Sequence, residues 1–277
     1  MLHRTEGIVL RTIPFGEADL IVSFLTPDSG LLKTFAKSPL KTKSRFGSSL
    51  EPLTHSRITF WGKEDASLPR LTQSDIIHPF QLIRDILSCF LKVSEIIELT
   101  IQFIPEREAN KKAYFLLLHT LHDIENNPPS PPFNPPLSKG GYRRVKGGKG
   151  GLDLSVIHYK IKFLELTGYA PMLDACGRCG KVRIDSQRDG YCFYVSRGCI
   201  LCKACAKWMD SPVRISRGVV KLYSDLLTWD IAKIKRIRPS NMLLSELSDI
   251  MDMHIKHMIT KTLNSRAFIR SLTGFRF

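Results

Sequence analysis

Cys176-Gly-Arg-Cys179 and Cys202-Lys-Ala-Cys205 are two C-x2-C pairs with 22 residues between them. Each pair sets two thiols on one tight turn whose backbone N–H groups point at thiolate sulfur. Two such knuckles close a tetrahedral site, and zinc is the expected occupant. Gly177 and Gly180 suit the turn geometry. Four thiolates leave no coordination position for water, so the centre reads as structural rather than catalytic. Cys192 and Cys199 complicate the ligand set, because Cys199-x2-Cys202-x2-Cys205 is a rival pairing in which Cys199 substitutes for one of the four. Cys202 with Cys205 is favoured, since Lys203-Ala204 leads directly into the next element. Cys89, on an apolar helical face, reads as core.

A second kind of chemistry is suggested by KTFAKSPLKTKSRFGSSLEP, Lys33 to Pro52. Lys33, Lys37, Lys41, Lys43 and Arg45 crowd into a stretch with no acid between Asp28 and Glu51. In a strand, Leu31, Lys33, Phe35 and Lys37 share a face. A ring flanked by cations is the arrangement of a single-strand platform, in which a base stacks on Phe35 while lysines meet the phosphates. Lys41, Lys43 and Arg45 then lie on a Ser-, Thr- and Gly-containing loop able to fold over a bound strand. Phe46 is either a second stacking ring or the anchor pinning that loop to the protein. For Phe35 the competing reading is plain core with lysines at the rim, and for the charge run a solvated loop. Five phosphate contacts on a single strand give a log K against log salt slope of about −3.5.

The whole chain supports a polyanionic partner. Its 277 residues hold 41 Lys+Arg against 26 Asp+Glu, a formal +15, which attracts nucleic acid or an anionic membrane surface. The membrane reading fares poorly, because no segment approaches the roughly 20 apolar residues needed to span a bilayer. The opening MLHRTEGIVLRT has scattered charges and no long apolar run, so a signal peptide is not expected. A cytoplasmic, reducing location follows, where seven cysteines are better metal ligands than disulfide partners.

The elements that must position these groups change period along the chain. GIVLRTI, ADLIVSFLT, GLLKTFAK, LTHSRITFWG and LPRLTQSDII are short runs rich in branched and aromatic residues, with turn residues among the breaks. Five such strands suit a small closed barrel, an OB-fold or an SH3-like one. After His78-Pro79, FQLIRDILSCFLKVSEIIELTIQFI has helical spacing and stops at Pro105, and KKAYFLLLHTLHDIE follows as a second helix. NNPPSPPFNPPLSKGGYRRVKGGKGG cannot bury enough apolar surface to offset chain entropy and reads as a linker or disordered insertion. LSVIHYKIKFLELTGY resumes the helical pattern. From Ser211 the chain reads as helical again, through GVVKLYSDLLTWDIAKI and then MLLSELSDIMDMHIKHMITKTLNSRAFIRSL as one helix or two. The expected fold class is therefore α+β and multidomain. A nucleic-acid-binding barrel domain, OB-fold or SH3-like, spans 1–79, and a mostly helical domain starts at 80–126. A Pro/Gly/basic insertion covers 127–151, the helical domain continues at 152–175, and a four-cysteine zinc module spans 176–205. Helical residues 206–277 close the chain.

Bond-making chemistry finds no support. H-E-x-x-H, H-x-E and G-x-x-x-x-G-K-[ST] are all missing, and no compact acidic cluster lies near the cysteines. A metal-dependent nuclease is accordingly the weakest alternative. A zinc-ribbon RNA-binding factor of translation or transcription shares the basic barrel and the knuckles.

GIVLRTIPFGEADLIVSFLTPDSGLL followed by KSRFGSSLEP resembles the opening of the bacterial DNA repair protein RecO family, and the resemblance extends over residues 1–126 and 152–277. It implies an N-terminal OB-fold, a C-terminal helical domain interrupted by a cysteine zinc site, and no enzymatic catalysis. It further implies binding of single- and double-stranded DNA and annealing of complementary strands. The implied partners are RecR, the acidic C-terminal tail of single-stranded-DNA-binding protein and, through loading, RecA recombinase. Two features depart from the family pattern: the insertion at 127–151, and Cys199 where a glycine pair usually precedes the second knuckle. Annealing needs phosphate repulsion screened while bases stay free to pair, so a second basic surface is expected. Lys233, Lys235, Arg236 and Arg238, with Lys256, Lys261, Arg266 and Arg270, supply candidates for that surface or for a site receiving the acidic tail.

Overall fold

A computed structural model describes residues 1–39, 46–63, 66–128, 151–182, 190–206, 212–229, 231–234 and 236–259. The chain divides into two compact units, Met1–Pro128 and Pro129–Phe277.

In the first unit the alternating runs form β1 (Leu2–Phe15), β2 (Asp19–Thr26), β3 (Gly30–Ala36), β4 (His55–Trp61) and β5 (Arg70–His78). They close a barrel in the order β1-β2-β3-β5-β4. β1 is long enough to pair with β2 through one half and β4 through the other, and its register shifts between Val9 and Arg11. The β3–β5 contact is parallel, through Phe35 opposite Arg70 and Ala36 opposite Leu71, while the other pairings are antiparallel. Between the two barrels that strand count leaves open, this order decides for the OB-fold. Period-two patterning fills the inside with Val9, Val22, Phe24, Leu32, Ala36, Ile58, Phe60 and Leu71, joined by Phe46 and Leu50 from the segment between β3 and β4.

Three helices belong to the same unit: α1 (Gln81–Asp85), α2 (Leu87–Phe103) and α3 (Lys111–Asn126). The change from strand to helix at His78-Pro79 thus falls inside one compact body. The single helix expected from Phe80 to Ile104 is broken at Ile86, whose backbone is extended (φ −101°, ψ 102°). One tie that fixes α1 on the barrel is Arg84, whose guanidinium donates to Pro52 O and Thr54 Oγ1 and pairs with Glu51. Asn110 caps α3 by accepting from the Ala113 N–H at 3.0 Å.

Gly30 shows why the α2–α3 connection can lie against β3. Its φ is +53°, and a Cβ there would stand 2.0 Å from Glu108 O. Only glycine admits the crossing backbone. Arg107 N–H donates to Leu31 O at 3.1 Å, and Leu31 is buried although it faces away from the barrel interior.

In the second unit α4 (Gly151–Thr167) buries residues around its whole circumference, from Leu154 to Leu164, as a central helix must. Around it lie a four-stranded sheet of β6 (Met172–Cys176), β7 (Tyr191–Tyr194), β8 (Cys199–Ile200) and β9 (Val213–Ile215), in the order β6-β8-β7-β9. α5 (Arg217–Thr228), α6 (Ile231–Ile234) and α7 (Asn241–Met258) complete it. The helix expected from Ser211 begins only at Arg217. Val213, Arg214 and Ile215 instead alternate as a strand on β7, a pairing that local periodicity does not announce. Ser216 caps α5 and is itself held by the Glu246 carboxylate, which accepts from its N–H and hydroxyl at 2.6 and 2.9 Å. Of the Pro/Gly/basic insertion expected at 127–151, Asn127 is the C-cap of α3 and Gly151 is already the first residue of α4, while 129–150 lie outside the described residues.

Candidate metal centre and nucleic-acid interface

β6 and β8 run parallel, with Cys176 opposite Ile200. The first knuckle leaves the end of β6 and the second follows β8 at once, so the two turns stand side by side. The Sγ atoms of Cys176, Cys179, Cys202 and Cys205 all lie within 4.8 Å of one another. A tetrahedral tetrathiolate with metal–sulfur bonds of about 2.3 Å sets its sulfurs about 3.8 Å apart, and Cys179 Sγ is 3.8 Å from Cys202 Sγ. The donor set fits a metal ion. Backbone N–H groups are aimed at the sulfur as knuckles require: Cys202 N–H donates to Cys176 Sγ at 3.4 Å. Burial raises the Cys176 thiol's pKa, but the N–H groups of Cys202, Cys179 and Arg178 outweigh it and hold the thiol below its ordinary value. Gly180, at φ +70°, turns the chain back and donates from its N–H to Cys176 O at 2.9 Å.

Cys199 is outside this group. Its sulfur packs on Gly177, where a Cβ would stand 2.3 Å from it, and burial followed by the neighbouring Cys176 raises its pKa. Gly177 is therefore needed to leave room for Cys199 rather than for a left-handed turn. Cys192, on β7, is half-buried and packs against the cysteine cluster without joining the four. Cys89 is buried in α2.

On the barrel, β3 turns Leu32, Thr34 and Ala36 inward and Lys33 and Phe35 outward. Phe35 is not core. It is half-buried on the outer face and meets Phe15 edge to face. Phe46 is the anchor, not a stacking ring, because its side chain is buried in the barrel core. Lys33 carries an ion pair with Glu106, so the platform presents it already neutralised. Lys37 is exposed beyond the end of β3, where Ser38 N–H is held by Asp19 Oδ1 at 2.6 Å. Lys41, Lys43 and Arg45 lie outside the described residues.

The register reveals further residues around Phe35. Arg70 is opposite Phe35, Trp61 is opposite Arg70, and Leu2 is opposite Trp61. Directly opposed residues share a face, and Arg70 and Trp61 are both exposed. Phe35, Arg70 and Trp61 thus span β3, β5 and β4 over two strand spacings, roughly 10 Å. Phe15, Trp61 and Arg70 escaped sequence reasoning focused on the basic run. The signal for Trp61 was available, since Ile58 and Phe60 point inward and alternation sends Trp61 out.

In the second unit Lys233, Arg236, Arg238 and Lys256 are exposed. Lys235, Lys261, Arg266 and Arg270 lie outside the described residues. Among the described residues no helix is long and apolar enough to cross a membrane.

An OB-fold barrel with aromatic and cationic residues on its outer face, followed by helices and a four-cysteine group able to hold a metal ion, defines a multidomain α+β architecture. Residues 1–80 match the family described as Recombination protein O N terminal, and residues 144–267 match Recombination protein O C terminal. The chain is 41% identical over 260 residues to the DNA repair protein RecO of Thermodesulfovibrio yellowstonii, covering 92% of each sequence. It is 30% identical to the RecO of Syntrophus aciditrophicus, over 95% of this chain and 93% of that one. With one RecO of Dehalococcoides mccartyi it shares 28% identity over 98% and 96%. The chain belongs to the RecO family.

Proposed function

We propose that this chain is a DNA repair and recombination mediator that works by electropositive backbone recognition and not by bond-making chemistry. It binds single- and double-stranded DNA, anneals complementary strands and helps load recombinase onto protein-coated single strands. One observation carries the reading: an OB-fold barrel of a RecO-family chain turns Phe35 and Phe15 outward beside Lys37 and Arg70. Rings accept unpaired bases of any sequence, and cations track the phosphates. Lys41, Lys43 and Arg45, outside the described residues, add three further positive charges in the sequence that follows β3, and Lys33 contributes once Glu106 releases it.

Basic residues of the second unit, the exposed Lys233, Arg236, Arg238 and Lys256 together with Lys235, Lys261, Arg266 and Arg270 outside the described residues, meet duplex DNA or the acidic tail of single-stranded-DNA-binding protein. RecR is the partner in loading, and RecA is the recombinase served. Zn2+ is the ion for Cys176, Cys179, Cys202 and Cys205, in a structural role. The protein acts in the bacterial cytoplasm on the nucleoid.

Annealing assays with complementary strands, bare or precoated with single-stranded-DNA-binding protein with and without its acidic tail, test the reading. Lys37→Glu with Lys41→Glu and Arg45→Glu is expected to weaken single-strand binding and slow annealing of a still folded protein. Unchanged annealing sinks this surface as the DNA groove. Equal or tighter binding to RNA of the same sequence would favour an RNA-binding factor instead.

A further inference from the structure

His78, His122 and Glu125 bring one ligand atom each to within 4.8 Å of one another. This group lies in the first unit, apart from the cysteines. His78 is the last residue of β5, while His122 and Glu125 are neighbours one turn apart on α3. His78 Nε2 is 2.5 Å from Glu125 Oε2, and all three side chains are half-buried. A second observation singles out the same place. Phe80 is fully buried, and its ring lies 4.5 Å from that of His78 and 4.8 Å from that of His122. Its φ is +47°, left-handed backbone that a bulky residue adopts only when its surroundings enforce it. The strained residue is the one that walls both imidazoles.

We infer that His78, His122 and Glu125 form a second divalent-cation site. Two imidazole nitrogens and one carboxylate oxygen suit zinc, and cobalt or nickel as its spectroscopic substitutes. Three protein ligands leave a further position for water, which sets this site apart from the closed tetrathiolate. Nitrogen and oxygen donors about 2.1 Å from a tetrahedral ion lie about 3.4 Å apart, so binding opens the His78–Glu125 contact by about 1 Å and draws His122 in. Phe80 supplies the apolar shell that keeps competing water off the ligands. An ion held there ties the end of β5 to α3 and fastens the helical layer to the barrel within this unit.

The full chain is stripped with a chelator, reloaded with Zn2+, freed of excess and assayed for bound metal by mass spectrometry. Two zinc ions per wild-type chain are expected, and one in His122→Ala and in Glu125→Gln. Glu125→Gln keeps a hydrogen-bond acceptor for His78, so its zinc-free melting should match wild type while it loses part of the zinc-induced rise in Tm. Wild type binding a single zinc, or both variants retaining as much zinc as wild type, overturns the site. Cobalt gives an independent reading, because only the cysteine centre produces thiolate-to-metal charge transfer. The equivalent lost in His122→Ala should carry none of that absorption; loss of charge-transfer intensity in proportion to cobalt overturns the proposal.

Discussion

Phe15 and Phe35 meet on the outside of the barrel with ring centroids 5.9 Å apart and planes at 90°. An edge-to-face pair on the outer face, with Phe35 half-buried and Phe15 exposed, is an unusual use of two large apolar rings, since each exposes surface that burial would stabilise. Under the proposed function, the exposed ring surface is where a base would stack. Stacking is worth about 1–3 kcal/mol per base by alanine substitution, so Phe35→Ala should weaken single-strand binding about tenfold. Phe15→Ala should act in the same direction by a smaller factor, because it removes the support of Phe35. Fluorescence anisotropy with a homopolymeric oligonucleotide at fixed salt measures both. Affinity unchanged by Phe35→Ala removes the ring from the interface.

Lys33 tests the cationic half of the same surface. Its ammonium is paired with Glu106, and a neutralised lysine releases no counterion from DNA. Glu106→Gln sets it free. Single-strand affinity should rise severalfold at low salt, and the log K against log salt slope should steepen by about 0.7, the share of one phosphate contact. An unchanged slope means that Lys33 does not reach a phosphate.

What the sequence disclosed about this surface depended on range. The alternation of Leu32, Thr34 and Ala36 against Lys33 and Phe35 is a property of seven consecutive residues, and it was readable. Glu106 is 73 residues from Lys33, and nothing local announces that pairing. The five strands were legible as patterns, whereas the OB-fold order rests on the parallel β3–β5 contact, which only the closed barrel fixes. Phe46 could not be placed, since an aromatic residue in a basic loop serves equally as anchor or ring until the barrel interior shows a space for it. The cysteines follow the same rule. Two C-x2-C pairs identify a candidate centre, but whether Cys199 substitutes for one of the four depends on how the strands meet: the structure packs Cys199 on Gly177 and brings Cys176, Cys179, Cys202 and Cys205 together. β9 went unread because three residues carry no period.

For the cysteine centre, Cys176→Ser with Cys202→Ser removes one thiol from each knuckle. The variant should retain no metal there, and the second unit should melt at lower temperature or become less soluble. A chelator strong enough to strip wild type should lower Tm likewise, with zinc restoring it. A double variant that is metal-free at the cysteines and melts as wild type would show that the knuckles contribute nothing to stability.

His254 gives the second unit a pH dependence of known sign. Burial depresses its pKa below the ordinary 6.5; the hydrogen bond to Tyr169 O opposes this, and neighbouring His257 adds to it. Nε2–H donates to that carbonyl at 2.8 Å, while Nδ1 is buried without a hydrogen-bond partner. A second ring proton would have no acceptor. Above pH 6.5 both folded and unfolded chains keep the imidazole neutral, and the full stability is present. As pH falls below 6.5 the unfolded chain takes up the proton first, so stability declines until the folded pKa is passed. Urea unfolding from pH 7.5 to 5 should show that loss, and His254→Gln should flatten it. An equally steep decline in the variant places the dependence elsewhere.

The last prediction concerns Lys160 and Asp252, which join α4 to α7 through a 3.2 Å ion pair with side chains only 3% and 6% exposed. Ser248 Oγ also donates to Asp252, at 3.2 Å. Desolvating two charges costs about as much as their attraction returns, so such a pair adds little net stability while forbidding any packing that separates its members. α4 buries residues around its whole circumference, so apolar packing alone constrains its register against α7 weakly; one charge on each helix selects a single register and with it the placement of Lys256. Lys160→Met strands a buried carboxylate and should cost roughly 3–5 kcal/mol, whereas Lys160→Met with Asp252→Leu should recover most of that loss. Urea midpoints measure the two steps. If the double variant is no more stable than the single one, the loss comes from disturbed packing and not from the abandoned charge; if it recovers stability but DNA affinity falls, the pair is retained for the register it imposes on α7.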